Sequence, residues 1–258
     1  MYGAIIGDIC GSRFEFDNIK RKDFELFTKY NTFTDDSVMT IAVGKALSLS
    51  KKNGYEDLEE KLIFWMHEIG QRYPYCGFGG RFYSWIMNNE KKPYHSYGNG
   101  AGMRTSRCGE IAESLDEALM LAKRCAAVSH DHEEGIKGAQ AISSCIYLAG
   151  NGKDKKQIRD YVEEHFYKLD FTLDQIRPSY RFDVSCQGSV PQAIEAFLEA
   201  ESFEDCIRNA ISIGGDSDTI AAMAGSIGEA YYGIEESFVV RARSYLDDDL
   251  LHLVDEIL

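Results

Sequence analysis

The stretch that decides the fold reads Gly214-Gly215-Asp216-Ser217-Asp218-Thr219-Ile220-Ala221-Ala222-Met223-Ala224-Gly225-Ser226-Ile227-Gly228. Past its acidic start nearly every side chain is apolar or small, which predicts a buried helix over 217–232. Glycine inside a helix costs up to ~1 kcal/mol relative to alanine. Gly225 and Gly228 beside Ala221, Ala222 and Ala224 therefore predict close backbone approach at the centre of a helical bundle. Residues 131–149, with Gly135, Gly138, Ala139 and Ala141, carry the same signature.

Outward from these segments the chain is a string of helical patterns. Val38, Ile41, Ala42, Ala46 and Leu49 in 34–50 follow i, i+3, i+4 spacing, as do Leu58, Leu62, Trp65, Met66 and Ile69 in 56–70. Segments 78–89, 99–113, 116–128, 154–169, 203–213 and 236–257 also read as helices. Ser189 reads as the cap of a helix with Pro191 in its first turn. Strand-like alternation is weak and best at Tyr180-Arg181-Phe182-Asp183-Val184. With no repeat and no linker, the expectation is an all-α protein. It is a single compact orthogonal helical bundle, one domain over 1–258, of roughly ten or more helices.

Composition excludes several function classes. Lys+Arg is 28 against Asp+Glu 42, a net charge of -14, which argues against nucleic acid and anionic membranes as partners. No apolar run approaches the ~18 residues of a membrane-spanning helix. The start, Met1 to Cys10, lacks the basic opening of a signal peptide. The seven cysteines are widely spaced and form no CxxC pair, so they read as reduced small hydrophobes of a cytoplasmic protein. A monomer is expected.

Two acidic clusters open apolar helices: Thr34-Asp35-Asp36-Ser37 and Gly214-Gly215-Asp216-Ser217-Asp218-Thr219. Either alone is explained by helix capping, which favours Thr, Asp and Ser at the positive end of the dipole. Together they exceed that need, because one cap requires one side-chain oxygen. Buried carboxylates without cations are costly. If the two starts meet, they offer hard oxygen donors only, which favours Mg²⁺, Mn²⁺ or Ca²⁺ over zinc or copper. Asp35, Asp36, Asp216 and Asp218 carry four negative charges and Glu15 a possible fifth, so two divalent ions balance the site better than one. A third segment, Ser96-Tyr97-Gly98-Asn99-Gly100-Ala101-Gly102-Met103-Arg104, is a glycine-rich turn leading into a helix, a place for a phosphate. Tyr94 and Tyr97 can cover an aromatic base.

In order along the chain, these segments resemble the ADP-ribosylglycohydrolase family, whose members remove ADP-ribose from modified targets. Gly3-Ala4-Ile5-Ile6-Gly7-Asp8 through Glu15 is similar to its N-terminal motif, which ends in a mobile glutamate. Thr34-Asp35-Asp36 and Gly214 to Thr219 are similar to its two metal clusters. Gly98-Asn99-Gly100 with Met103-Arg104 is similar to its ligand loop, and Ser129-His130 starts a helix where the family carries a histidine near the ribose. Ser217 departs from a pattern that often has threonine, and the chain is short for the family.

The resemblance implies an all-α enzyme with two Mg²⁺ or Mn²⁺ ions. Thr34, Asp35 and Asp36 would hold one ion; Asp216, Asp218 and Thr219 would hold the other, with Asp218 bridging. Both carboxylates of the second cluster are expected in the non-helical turn before the helix. Glu15 and Asp36 are the candidate catalytic residues. Ser96, Tyr97, Gly98, Asn99, Gly100, Met103, Arg104 and His130 are the candidate substrate-binding residues, with ADP-ribose or an ADP-ribosylated molecule as partner. Two other readings compete: an all-α metal-dependent phosphohydrolase or nucleotidase, and a non-catalytic ADP-ribose-binding module. Metal-binding histidines would favour the first and loss of a ligand carboxylate the second.

Overall fold

In the computed structural model, which describes residues 1–258, the small-residue helix is α13 (Ser217–Tyr232), buried from Ser217 to Gly228. Its closest neighbour is α1 (Tyr2–Gly11), a helix that the sequence patterns did not predict. Gly3, Gly7 and Gly11 recur every four residues and so share one face of α1. A Cβ on Gly3 would strike the Gly225 carbonyl, one on Gly7 the Ala221 carbonyl, and one on Gly11 would meet Cα of Asp218 at 2.5 Å. The two helices therefore touch backbone to backbone and run antiparallel. The C-terminal end of α1, with Asp8, lies against the N-terminal end of α13.

The remaining helices wrap this pair. α2 (Asp35–Ser50) packs on α1 and on α3 (Leu58–Gly70). α8 (Glu133–Gly150) packs on α13, on α7 (Leu115–Ala127) and on α11 (Cys186–Leu198), while α12 (Phe203–Ser212) covers another side of α13. The set is completed by α4 (Gly80–Met87), α5 (Gly100–Met103), α6 (Ser106–Ile111), α9 (Lys155–His165), α10 (Leu173–Ile176), α14 (Glu236–Arg243) and α15 (Asp248–Ile257). The fold is all-α, and 68 buried residues form one continuous core cluster. No helix is long and apolar enough to cross a membrane.

Several boundaries differ from the sequence reading, each for a local reason. The expected helix over 99–113 breaks at Arg104–Thr105 into α5 and α6, and that over 236–257 breaks where Asp247 caps α15 by accepting from Leu250 N–H at 2.9 Å. Ser185, not Ser189, caps α11: its Oγ accepts from Gly188 N–H at 3.1 Å. Ser189 lies inside the helix and donates back to the Ser185 carbonyl at 2.7 Å, and Pro191 falls in the helix interior. Ser129 and His130 precede α8 and do not start it, because His132 is the residue that caps it. Tyr180–Val184 forms no strand; a single bridge joins Gly98 to Ser185.

The backbone contact of α1 with α13 gives a direct test. Gly7→Ala should destabilise by about 1–3 kcal/mol, the usual cost of overpacking, seen as a thermal midpoint several degrees lower. Gly80→Ala, with open space around its Cβ, should leave the midpoint nearly unchanged. Equal midpoints for Gly7→Ala and the parent chain would contradict the packing.

Candidate functional site

Asp8 is the first piece of the site. It is a fully buried carboxylate on an otherwise apolar helix, and it accepts from Thr34 N–H at 2.9 Å, Ser37 N–H at 3.0 Å, Thr34 Oγ1 at 2.7 Å and the Ser37 hydroxyl. It thus caps α2 from a neighbouring helix, using the free N–H groups and positive dipole end that α2 presents. Thr34 Oγ1 also accepts from Asp36 N–H at 3.4 Å, as an N-cap does.

At α13, Gly214 and Gly215 have φ of +67° and +78°, a left-handed turn that favours glycine. That turn makes Asp216 the N-cap residue. Asp218 lies inside the first helical turn, not in the turn before it as the spacing argument had required. Ser217 points away, with its hydroxyl toward the Phe14 and Gly215 carbonyls. Thr219 Oγ1 donates to Asp36 Oδ2 at 3.0 Å, so the two helix starts meet.

The meeting creates two overlapping carboxylate groups. Asp8, Asp36 and Asp218 offer oxygens within 4.8 Å of one another, and so do Glu15, Asp216 and Asp218. Asp218 belongs to both. Asp35 joins neither triad but lines the adjoining cleft. Burial, reinforced by the neighbouring carboxylates, holds Asp35, Asp36 and Asp218 well above the usual carboxylate range. Burial also raises Asp8 and Asp216 against the hydrogen bonds that favour their charged forms. Glu15, half-buried, is pushed up to about 7 by burial and then by Asp216 and Asp8.

Asp36 Oδ1 is buried and has no hydrogen-bond partner. A buried polar atom in that condition costs about 1–3 kcal/mol. Convergent carboxylates, oxygen donors throughout and one orphaned oxygen fit hard divalent cations.

A cleft of about 460 Å³ opens onto these carboxylates. Glu15, Asp35, Asp36, Asp216, Asp218 and Thr219 line it, together with Ser96, Gly98, Asn99, Gly100, Met103, Arg104 and His130. Phe16 and Phe182 stack at the cleft with ring centroids 6.0 Å apart. Thr34 is not part of the cleft lining; its Oγ1 donates to Asp8 at 2.7 Å. Tyr97 is a correction: it is absent from the cleft wall, half-exposed, and packs edge-on against His132 at 5.1 Å. Tyr94 does line the cleft. The glycine-rich turn already uses two of its N–H groups, Gly98 to Ser96 Oγ at 3.2 Å and Asn99 to the Val184 carbonyl at 2.8 Å. Asn99 Nδ2 donates to Asp216 Oδ2 at 2.7 Å, tying this turn to the carboxylates.

A family model described as ADP-ribosylglycohydrolase matches residues 1–258. The chain belongs to the ADP-ribosylglycohydrolase family. It is accordingly a hydrolase of glycosidic bonds. Its relatives include ADP-ribosylhydrolase ARH3 of Homo sapiens, 25% identical over 96% of this chain and 89% of that protein. The ADP-ribosyl-[dinitrogen reductase] glycohydrolase of Rhodospirillum rubrum is 24% identical over 91% of this chain and 84% of its own length. A solved structure titled ADP-ribosylglycohydrolase-related protein complex shares the fold at a TM-score of 0.67 and 20% identity, covering 97% of this chain and 92% of that one.

Two residues that build this site have no role in the sequence reading. Asp8 carried a signal, a lone carboxylate in the run Ala4-Ile5-Ile6-Gly7-Asp8-Ile9. Asn18 carried none. Its Nδ2 donates to the carbonyls of Phe14 at 2.6 Å and Gly215 at 2.9 Å, and its Oδ1 accepts from Gly215 N–H at 2.7 Å. It clamps the turn bearing Glu15 to the turn before Asp216.

The raised carboxyls set the sign of the pH dependence. An unfolded carboxyl titrates near ~4, so these groups favour the fold fully below that pH and the contribution is lost as pH rises through the raised values. For Glu15 that window ends at about 7. In chelator, the thermal midpoint should fall between pH 5 and ~7.5, and Asp36→Asn should flatten the slope. A midpoint that rises over this interval would contradict the electrostatic picture.

Proposed function

We propose that the chain is a metal-dependent hydrolase cleaving the glycosidic bond between ADP-ribose and a modified acceptor, a protein side chain or a small molecule. The observation that carries this reading is the meeting of the two acidic helix starts, with Asp218 in both carboxylate groups and a cleft beside them. Thr34, Asp35 and Asp36 would hold one Mg²⁺ or Mn²⁺ ion, and Asp216, Asp218 and Thr219 the other, with Asp218 shared. When bound, the ions supply positive charge that neutralises the cluster and polarises the ribose diol and a water molecule.

The chain's own residues do the rest. Glu15, with its carboxyl near 7, can hold or release a proton at neutral pH, as acid–base catalysis requires. It lines the cleft and is half-buried, so its charge state responds directly to what enters. Asp36 keeps Oδ1 free while Thr219 holds Oδ2. The surrounding carboxylates offset the positive charge that develops on the ribose in an oxocarbenium-like transition state. Ser96, Gly98, Asn99, Gly100, Met103, Arg104 and His130 would receive the nucleotide. Asp8 holds Thr34 and Ser37 in place from behind. The whole chain would act as one such domain, monomeric and cytoplasmic; its seven cysteines are all free, which suits a reducing compartment.

ADP-ribose release should be followed across defined arginine, serine and small-molecule linkages in Mg²⁺, Mn²⁺ or EDTA. At least one linkage should be cleaved with a divalent ion and none in EDTA. No release from any linkage, or full release in EDTA, would overturn the reading. Glu15→Gln should slow turnover by about two or more orders of magnitude without lowering the thermal midpoint in EDTA, since it removes a carboxyl whose ionisation the fold disfavours. A near-normal rate would reduce Glu15 to an ordinary loop residue.

A further inference from the structure

We propose that Ser129 fixes His130 as its Nε2–H tautomer, so that the ring presents a hydrogen-bond donor to a phosphate or sugar oxygen of a ligand at the Gly98–Gly100 turn. Arg104 is fully buried and lines the cleft. A guanidinium carries donors only. Its Nη2 lies 2.9 Å from Ser129 Oγ, so Ser129 accepts that bond. The same nitrogen lies 3.0 Å from the Cys125 carbonyl and 3.3 Å from the Ala126 carbonyl, which anchor the group. The remaining neighbour of Ser129 Oγ is His130 Nδ1 at 2.8 Å. The hydroxyl has two lone pairs and one proton; Arg104 can only donate to it, so Nδ1 is the one acceptor within reach of that buried proton, and the proton points at Nδ1. Nδ1 is then an acceptor, and in a neutral imidazole the ring proton must sit on Nε2.

Three further observations agree. Burial and then the cations Arg104 and Arg81 hold the ring well below the ordinary histidine range, which favours its neutral form. Nε2 has no protein partner and faces the turn: a Cβ on Gly98 or Gly100 would meet it at 3.4 or 3.5 Å. Phe82 and Tyr94 pack on the ring with centroids 5.8 and 5.5 Å away, limiting its rotation. The chain Arg104 to Ser129 to His130 therefore runs in one direction, each donor polarising the next, and ends on a donor aimed into the cleft. Ser129 and Arg104 are positioning residues. The tautomer stands on the hydrogen-bond network alone; the identity of the ligand rests on the proposed function.

The test is nitrogen-15 NMR of the histidine rings in the full-length protein at neutral pH, with His130 assigned by loss of its signals in His130→Gln. The expected spectrum has Nε2 protonated and Nδ1 unprotonated, and ADP-ribose should shift the Nε2 signal without changing its protonation. A Nδ1–H tautomer or an imidazolium overturns the proposal, as does ADP-ribose binding by calorimetry that leaves both signals unmoved. Failure of ADP-ribose to bind at all refutes the functional reading and the ligand half with it; the ligand-free spectrum still decides the tautomer. Ser129→Ala should mix the tautomers and raise KM about tenfold with little change in kcat, and Ser129→Thr should restore both. A Ser129→Ala protein with a parent-like spectrum and KM would show that Ser129 does not position the ring.

Discussion

Everything at the site depends on how closely α1 and α13 approach. Three glycines on one face of α1 let its backbone rest on Gly225, Ala221 and Asp218. Any side chain there would push the helices apart. That contact carries Asp8 to the start of α13 and, through Asp8, fixes the start of α2. The spacing of small residues along two helices thus becomes the spacing of carboxylates in a cluster, because interiors packed at crystal-like density transmit position faithfully.

The cluster is electrostatically unfavourable on its own. Its members are buried and repel one another, and the causes of their shifts are desolvation and like charge, with no lysine or arginine among the leading ones. Two features soften this. The helix starts of α2 and α13 both direct positive dipole ends and free N–H groups inward. Hydrogen bonds from Thr34, Ser37, Thr219 and Asn99 favour the charged forms of individual carboxyls, against the net upward shift. No hydrogen bond reaches Asp36 Oδ1. A fold that keeps such an arrangement gives up stability for a site able to take cations, the usual relation between strain and function.

The helical character and the two acidic starts were legible in the sequence because they depend on local pattern. The 217–232 helix appears with the boundaries that its small and apolar run predicts, and Thr34 and Asp216 stand at the N-cap positions of α2 and α13, Thr34 alone with a side-chain cap bond. What was not legible is what depends on distant partners. Helix α1 has glycine at three positions that make a poor helix in isolation; only α13 explains them. Asn18 sits in an irregular loop whose four neighbouring backbone groups come from two turns far apart in sequence. Adjacency to Ser96 and Gly98 points Tyr97 to the cleft, yet its side chain turns to His132 while those neighbours line the wall. Asp218 was placed outside the helix because i and i+2 diverge on a regular helix. Only Asp216 needed to leave the helix, and the Gly214-Gly215 turn achieves that.

The central claim is that the meeting of the two helix starts makes a shared cation site. Its most direct test is calorimetric titration of Mn²⁺ into the chelator-stripped protein and into Asp218→Ala. The account predicts two ions per chain for the parent and loss of both from the variant, since Asp218 belongs to both carboxylate groups. No binding at millimolar metal, or binding that Asp218→Ala leaves intact, would contradict it.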